Sequence, residues 1–68
     1  MKVTQQVEIT DSNFYKTQYI LDDGSYILVS DKWGNDYFQH GKNVPGKNHR
    51  VRLAMKEALQ RFLKNQAA

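Results

Sequence analysis

The hydrophobic period of this chain changes once, and that change constrains the fold more than any other feature. In residues 1–40 apolar residues alternate with polar ones or form short aromatic and β-branched runs, which is typical of strands. From His49 onward the apolar residues recur at helical spacing: Val51, Ala54, Met55, Ala58, Leu59, Phe62 and Leu63. The order predicts an α+β fold, an antiparallel β-meander of three to four strands packed on one C-terminal α-helix.

Clusters of turn-forming residues divide the first part of the chain. Asp11-Ser12-Asn13, Asp23-Gly24 and Trp33-Gly34-Asn35 mark the turns. The predicted elements are strands over about 2–10, 14–21, 26–31 and 36–40, an irregular basic loop over 41–48, and a helix over about 49–64. The remaining four residues are expected to fray.

The turn at Asp23-Gly24 allows two registers. A two-residue turn pairs Tyr19 with Leu28, whereas a three-residue turn with a bulge at Gly24 pairs Tyr19 with Ile27. Because side chains alternate between the faces of a sheet, a slip of one residue exchanges the two faces. Both registers stay open at this point, and either one leaves aromatic surface on the less covered face.

The chain length and the absence of cysteine limit the class of protein. Sixty-eight residues fit one small domain over residues 1–68, of marginal stability, so a monomer and a homodimer are both compatible. The sequence has no cysteine, which excludes disulfides and thiolate metal sites and favours a cytoplasmic location. No apolar run approaches the length of a membrane span, so no membrane partner is expected.

Charge is divided unevenly along the chain. Residues 1–36 carry three lysines against six carboxylates, a net charge of −3, whereas residues 37–68 carry seven cations against Glu57, a net charge of +6. Such asymmetry indicates an anionic partner for one surface. The alternative is that the acidic and basic halves attract each other within the fold.

The segment 41–52 is the best candidate site. It repeats Gly-Lys-Asn five residues apart and leads to a predicted helix N-terminus, with Asn48 as the N-cap, where free N–H groups attract anions. The cations in the first helical turn oppose the helix dipole, and a bound phosphate would reverse that penalty. The predicted phosphate-binding residues are Lys42, Lys47, Asn48, His49, Arg50, Arg52 and Lys56. The alternative is a solvated loop with screened charges.

Aromatic residues form a second set of candidates for base stacking or for a protein interface. They are Trp33, Tyr15, Tyr19, Tyr26 and Tyr37. For Trp33 the favoured interpretation is that it folds back over the sheet and closes the small core.

Catalytic and metal-binding patterns are missing from the sequence. His40 and His49 have no neighbouring ligand cluster, and Asp22 and Asp23 are typical turn residues. The chain lacks a nucleophile elbow and the spacing of a phosphate-binding P-loop. We therefore expect no enzyme, no metal site and no cofactor.

The order strand–strand–strand–helix over residues 14–64 resembles, in layout, the arm-binding domains of phage integrases and the AP2-type plant domain. In those families the sheet lies in the major groove of DNA and the helix packs behind it. The stretch 46–50 before Ala58-Leu59 resembles the second half of a double-stranded RNA-binding domain. These likenesses imply a nucleic-acid partner, with DNA favoured over RNA.

Two functions are therefore predicted. The first is a small non-enzymatic nucleic-acid-binding domain that contacts phosphates through the basic loop and the helix N-terminus. The second is a phage- or plasmid-type small inhibitor or adaptor, similar in size to anti-CRISPR proteins, that binds an acidic surface of a host protein or nucleoprotein complex.

Overall fold

The computed structural model describes residues 1–67 and shows an antiparallel sheet followed by one helix. The elements are β1 (Val3–Glu8), β2 (Tyr15–Leu21), β3 (Tyr26–Ser30), β4 (Gly34–Gln39), β5 (Lys42–Asn43) and α1 (His49–Ala67). The strands lie in the sheet in chain order, so the sheet is a meander. The predicted α+β fold is confirmed, with one strand more than expected. Within residues 1–67, no helix is long and apolar enough to cross a membrane.

The β2–β3 hairpin has the second of the two predicted registers. Tyr19 pairs with Ile27, and the Leu21 N–H donates to the Ser25 carbonyl at 2.8 Å across a three-residue turn. Gly24 has a φ of +88°, a conformation that other residues rarely adopt. The Ser25 N–H donates to the Asp23 carboxylate at 3.0 Å, which stabilises the turn. This register decides which side chains face the helix.

The core lies between one face of the sheet and α1. Ile27 and Met55 are fully buried at its centre, and Phe62 packs edge-on against Tyr19 with ring centroids 5.8 Å apart. The buried apolar residues are Val3, Tyr19, Leu21, Ile27, Tyr37, Val44, Met55, Ala58 and Leu59. The helical spacing of the last three places them on one face of α1.

The predicted irregular loop begins instead with a short hairpin, which corrects the expectation for residues 41–48. Gln39 pairs with Lys42, and the two residues between them, His40 and Gly41, both have positive φ (53° and 79°). Positive φ at both central residues is the signature of a type I′ turn. The Val44 N–H then donates to the Tyr37 carbonyl at 2.8 Å, which keeps the chain beside β4.

The helix is longer than predicted, because it continues past residue 64 to Ala67. The Gln66 side-chain amide donates to the Gln6 Oε1 at 3.0 Å, and the Arg61 guanidinium donates to the Met1 carbonyl at 3.2 Å. These contacts with the N-terminal segment hold the end of α1, including residues 65–67, which were expected to fray. Ala68, part of the same prediction, lies outside the described residues.

The other face of the sheet has no helix against it among residues 1–67. Tyr26 and Phe38 stack there with centroids 4.9 Å apart and ring planes 14° from parallel. We call this surface the open face; its apolar side chains, all half-buried, are Val7, Ile20, Tyr26, Leu28 and Phe38.

Candidate anion-binding site

The predicted helix N-terminus is formed by a tight turn of the chain. The Asn48 N–H donates to the Pro45 carbonyl at 2.9 Å, and the Asn48 carbonyl accepts from the Arg52 N–H at 3.2 Å. Asn48 therefore occupies the N-cap position, as the sequence predicts. The first turn of α1 contains His49 and Arg50 and no acidic residue, so nothing on the helix itself balances its positive end.

A shallow hollow of about 430 Å³ lies beside this helix end. His49, Arg52 and Lys56 lie three and four residues apart, so they share one face of α1. We call the site the basic hollow; its lining residues are Tyr37, Gly46, His49, Arg52, Leu53 and Lys56. It combines cationic groups with an apolar floor.

Arg52 is the cation that the surrounding residues position most closely. Its guanidinium carbon lies 5.0 Å from the centroid of the Tyr37 ring, within the range of a cation–π contact. A Cβ placed on Gly46 would lie 3.2 Å from Arg52 Nη1, so glycine gives the guanidinium room against the loop. Arg52 is half-buried, whereas His49 and Lys56 are exposed.

The structure brings three of the seven predicted phosphate-binding residues into the hollow. The other four, Lys42, Lys47, Asn48 and Arg50, are exposed and lie outside its lining. Successive helical residues are about 100° apart, which turns Arg50 away from His49.

Sequence reasoning missed one residue that lines the hollow, Leu53, and gave Tyr37 a different role. Leu53 is 56% exposed. Its signal was visible as the one leucine on the polar side of the predicted helix. Tyr37 was named only as a candidate for stacking or a protein interface, because nothing in the sequence indicates that β4 lies beside the N-terminus of α1.

Two of the aromatic candidates are corrected. Tyr19 and Tyr37 are buried, at 8% and 7% exposure, because the register turns both toward α1, and neither ring is free to stack on a ligand. Tyr26 lies on the open face, already stacked on Phe38.

The expectation that Trp33 closes the core is wrong, since its side chain is 70% exposed. Trp33 lies at the tip of the β3–β4 turn. The Ser30 hydroxyl accepts from the Lys32 and Trp33 N–H groups at 3.2 and 3.4 Å, which stabilises a turn that projects beyond the sheet.

Trp33 belongs instead to an exposed group of aromatic rings. It stacks on Phe14 with centroids 5.9 Å apart and planes 10° from parallel, and Phe14 meets Tyr15 edge-on at 4.8 Å. The Tyr15 hydroxyl donates to the Asp36 carboxylate, and this bond raises the pKa of Tyr15 above its ordinary value. We call Phe14, Tyr15, Trp33 and Asp36 the aromatic corner. Phe14 and Asp36 were missed from sequence.

In the part of the chain that the structure describes, no group of three or more His, Cys, Asp or Glu side chains is placed to hold a metal ion.

In comparisons with known proteins, no family model, no curated protein and no solved structure matches this chain.

Proposed function

We propose that this protein binds the phosphate backbone of a nucleic acid, without catalysis, through the basic hollow and the exposed cations beside it. The observation that carries the proposal is that His49, Arg52 and Lys56 line one open hollow at the N-terminus of α1. The phosphates of DNA and of RNA both suit this hollow, and the layout resemblance to DNA-binding modules makes duplex DNA the first form to test.

Electrostatics support this assignment in two ways. Residues 37–68 carry a net charge of +6, and Lys42, Lys47 and Arg50 are exposed around the helix end. Each cation in the first turn of a helix costs about 0.3–1 kcal/mol at low salt, and a bound phosphate offsets that cost. Phosphate contacts position a protein on nucleic acid without reading its sequence, so the proposal includes no base specificity.

The aromatic side chains do not take part in this proposed contact. The layout resemblance implies a sheet that lies in the DNA groove, but the uncovered side of the sheet carries apolar side chains and Asp36, while the hollow lies on the helix side. A duplex on the open face would meet Asp36 rather than the cations of α1. The proposed contact is therefore made by the helix and its preceding loop.

The test is the salt dependence of binding to a fluorescent duplex, measured by anisotropy between about 50 and 200 mM salt. Neutralising about four phosphates gives a slope of log K against log salt near −3.6. Lys56→Gln should reduce the magnitude of that slope by about 0.9. The matched control is Lys32→Gln, which removes an exposed lysine from the β3–β4 turn and should leave the slope unchanged.

Absence of binding at about 50 mM salt would refute the proposal. Equal effects of Lys56→Gln and Lys32→Gln would also contradict it, because they would show attraction to net charge rather than to the hollow. Competition with single-stranded DNA and with duplex RNA then identifies the preferred form of nucleic acid.

A second candidate function is that of a small inhibitor or adaptor that binds a protein, and the open face favours it. A half-exposed group containing Ile20, Tyr26, Leu28 and Phe38 is a candidate protein interface. This function requires tight binding to one protein with only weak, salt-sensitive binding to nucleic acid. Leu28→Glu should abolish such binding and leave the duplex slope unchanged, and light scattering on the purified protein distinguishes a homodimer formed through the same face.

A further inference from the structure

The aromatic corner has a surface that neither proposed function uses. Trp33 is the most exposed large apolar side chain of the described residues, and Phe14 beneath it is 42% exposed. The two rings are nearly parallel with centroids 5.9 Å apart, and most of the Trp33 side chain remains open to solvent. An uncovered indole face is a favourable binding surface for a cation, above all for a planar guanidinium.

Charges around the corner favour a cationic ligand over an anionic one. The carboxylate of Asp36 accepts the Tyr15 hydroxyl on the same side of the sheet, and Asp31 and Asp11 are exposed in the two adjoining turns. Lys16 and Lys32 are the cations of these segments, which therefore carry three carboxylates and two ammonium groups. Asp36 lies at the Tyr15 hydroxyl, within the same corner as the exposed indole. A carboxylate and an aromatic face supply the two contacts that a guanidinium makes best, a hydrogen bond and a stack.

The backbone that carries the corner is also held in place before any ligand arrives. The Ser12 hydroxyl accepts from the Phe14 and Tyr15 N–H groups at 3.1 Å each, and Ser30 accepts from the turn that carries Trp33. An irregularity in β2 between Tyr15 and Thr17 turns the Tyr15 ring to the side of Asp36 instead of toward the helix. Groups fixed in advance lose less entropy on binding.

The chain's own arginines do not occupy this surface. All three, Arg50, Arg52 and Arg61, lie on α1, which packs on the other face of the sheet. Arg52 contacts Tyr37, and Arg61 donates to the Met1 carbonyl. A guanidinium at the corner must therefore come from another molecule.

We propose that the aromatic corner binds an arginine side chain from a basic segment of a partner protein, with the guanidinium stacked on Trp33 and hydrogen-bonded to the acidic side chains beside it. This site is independent of the proposed nucleic-acid contact. It lies at the end of the sheet that carries the β1–β2 and β3–β4 turns, and it does not include the basic hollow.

Trp33 is the only tryptophan of the chain, so its fluorescence reports on the corner alone. The protein is titrated with a capped tri-arginine peptide, a capped tri-lysine peptide and a hexathymidine oligonucleotide, and backbone NMR shifts locate each contact. We expect the arginine peptide to change the fluorescence emission of Trp33 and to shift the backbone amide signals of residues 12–16 and 31–36. It should bind about two- to fivefold more tightly than the lysine peptide.

Two variants and one control test the contacts. Phe14→Leu and Asp36→Asn should each weaken the arginine peptide by about two- to fivefold. Glu57→Gln, which neutralises an exposed carboxylate on α1, should leave its binding unchanged.

Four outcomes would overturn the proposal. The first is equal binding of the arginine and lysine peptides, and the second is a set of shifts spread over all acidic turns, including Asp22 and Asp23. A stronger Trp33 response to the oligonucleotide would make the corner a platform for nucleobases. A Trp33 signal that changes with protein concentration alone would make its occupant a second copy of this chain.

Discussion

Ile27 and Leu28 are neighbours on β3 with the same number of carbon atoms, and the structure places them on opposite faces of the sheet. Ile27 has no solvent exposure and lies between Tyr19 and Tyr37 in the core that also contains Met55. Ile27→Ala removes buried carbons and leaves a cavity, which costs about 2–5 kcal/mol. A chain of this length has a free energy of unfolding of about 3–10 kcal/mol, so the variant should be strongly destabilised.

Leu28→Ala is the matched control. Leu28 is half-buried on the open face, with no helix above it in residues 1–67. Complete burial of a leucine is worth about 1.5–3 kcal/mol, so truncation of a half-buried one should cost about 1 kcal/mol. The predicted difference between the two variants comes from the face that each side chain occupies.

Urea unfolding followed by far-ultraviolet circular dichroism measures both variants, at two protein concentrations. Equal m-values would show that the comparison concerns stability and not a change in the unfolded state. If Leu28→Ala costs as much as Ile27→Ala, the register of β2 and β3 is wrong. If that equality holds only at the higher concentration, the open face is covered by a second copy.

Four further predictions concern turns and polar groups. Gly24→Ala should cost about 1–2 kcal/mol from backbone conformation alone, since a Cβ there meets nothing within 4 Å; urea unfolding measures it. Ser25→Ala should change stability by less than about 1 kcal/mol in the same assay, because the buried hydroxyl makes no hydrogen bond of normal geometry within residues 1–67 and its one polar neighbour is the Asp23 carboxylate. The hydrogen bond of Tyr15 contributes its full stability below about pH 10, the pKa of the phenol in the unfolded chain, and this contribution is lost as pH rises through the raised pKa of the folded state. Asp36→Asn should return the pKa of Tyr15, measured by phenol absorbance, toward its ordinary value. The backbone N–H of Ser25 is the chief cause that lowers the pKa of Asp23. The contribution of Asp23 to stability is therefore present above about pH 3.9 and is lost as pH falls through the pKa of the folded state. Asp23→Ala should flatten the acid unfolding curve in that range.

The helix and its core-facing stripe were predictable because a sustained 3.6-residue period needs only local sequence. Val51, Met55 and Leu59 face the sheet as expected. Ala54 and Leu63 were assigned to the same stripe, yet both are exposed, Leu63 at 42%. They lie at the margins of the apolar stripe, and the sheet covers a narrower arc of the helix than the pattern suggests.

The faces of the sheet were not predictable, because they depend on one residue of turn length. Aromatic residues occur on both sides of β2 and β4, so composition alone does not decide whether Tyr19 or Ile20 is buried. The β4–β5 hairpin was missed for a similar reason. Its turn residues, His40 and Gly41, lack the Asn-Gly or Asp-Gly signal of a type I′ turn.

Half of the candidate anion-binding site could be predicted from the sequence. A group of basic residues around the start of a helix is visible in the sequence, and His49, Arg52 and Lys56 were identified from it. The hollow itself depends on Tyr37, which a buried strand places under the guanidinium of Arg52, and that contact joins residues 15 positions apart. The uneven distribution of charge along the sequence therefore did not predict which cations would lie together in the hollow.

The order of the strands and the helix along the chain affects how the protein folds during synthesis. All five strands precede α1 in the sequence, and neighbouring strands pair through short connections, so the hairpins can form while translation continues. Their apolar side around Ile27 stays uncovered until the ribosome has added the segment that shields it. A nascent chain that stops before Met55 would expose the apolar face of the sheet. Such a chain would be a substrate for chaperones and proteases.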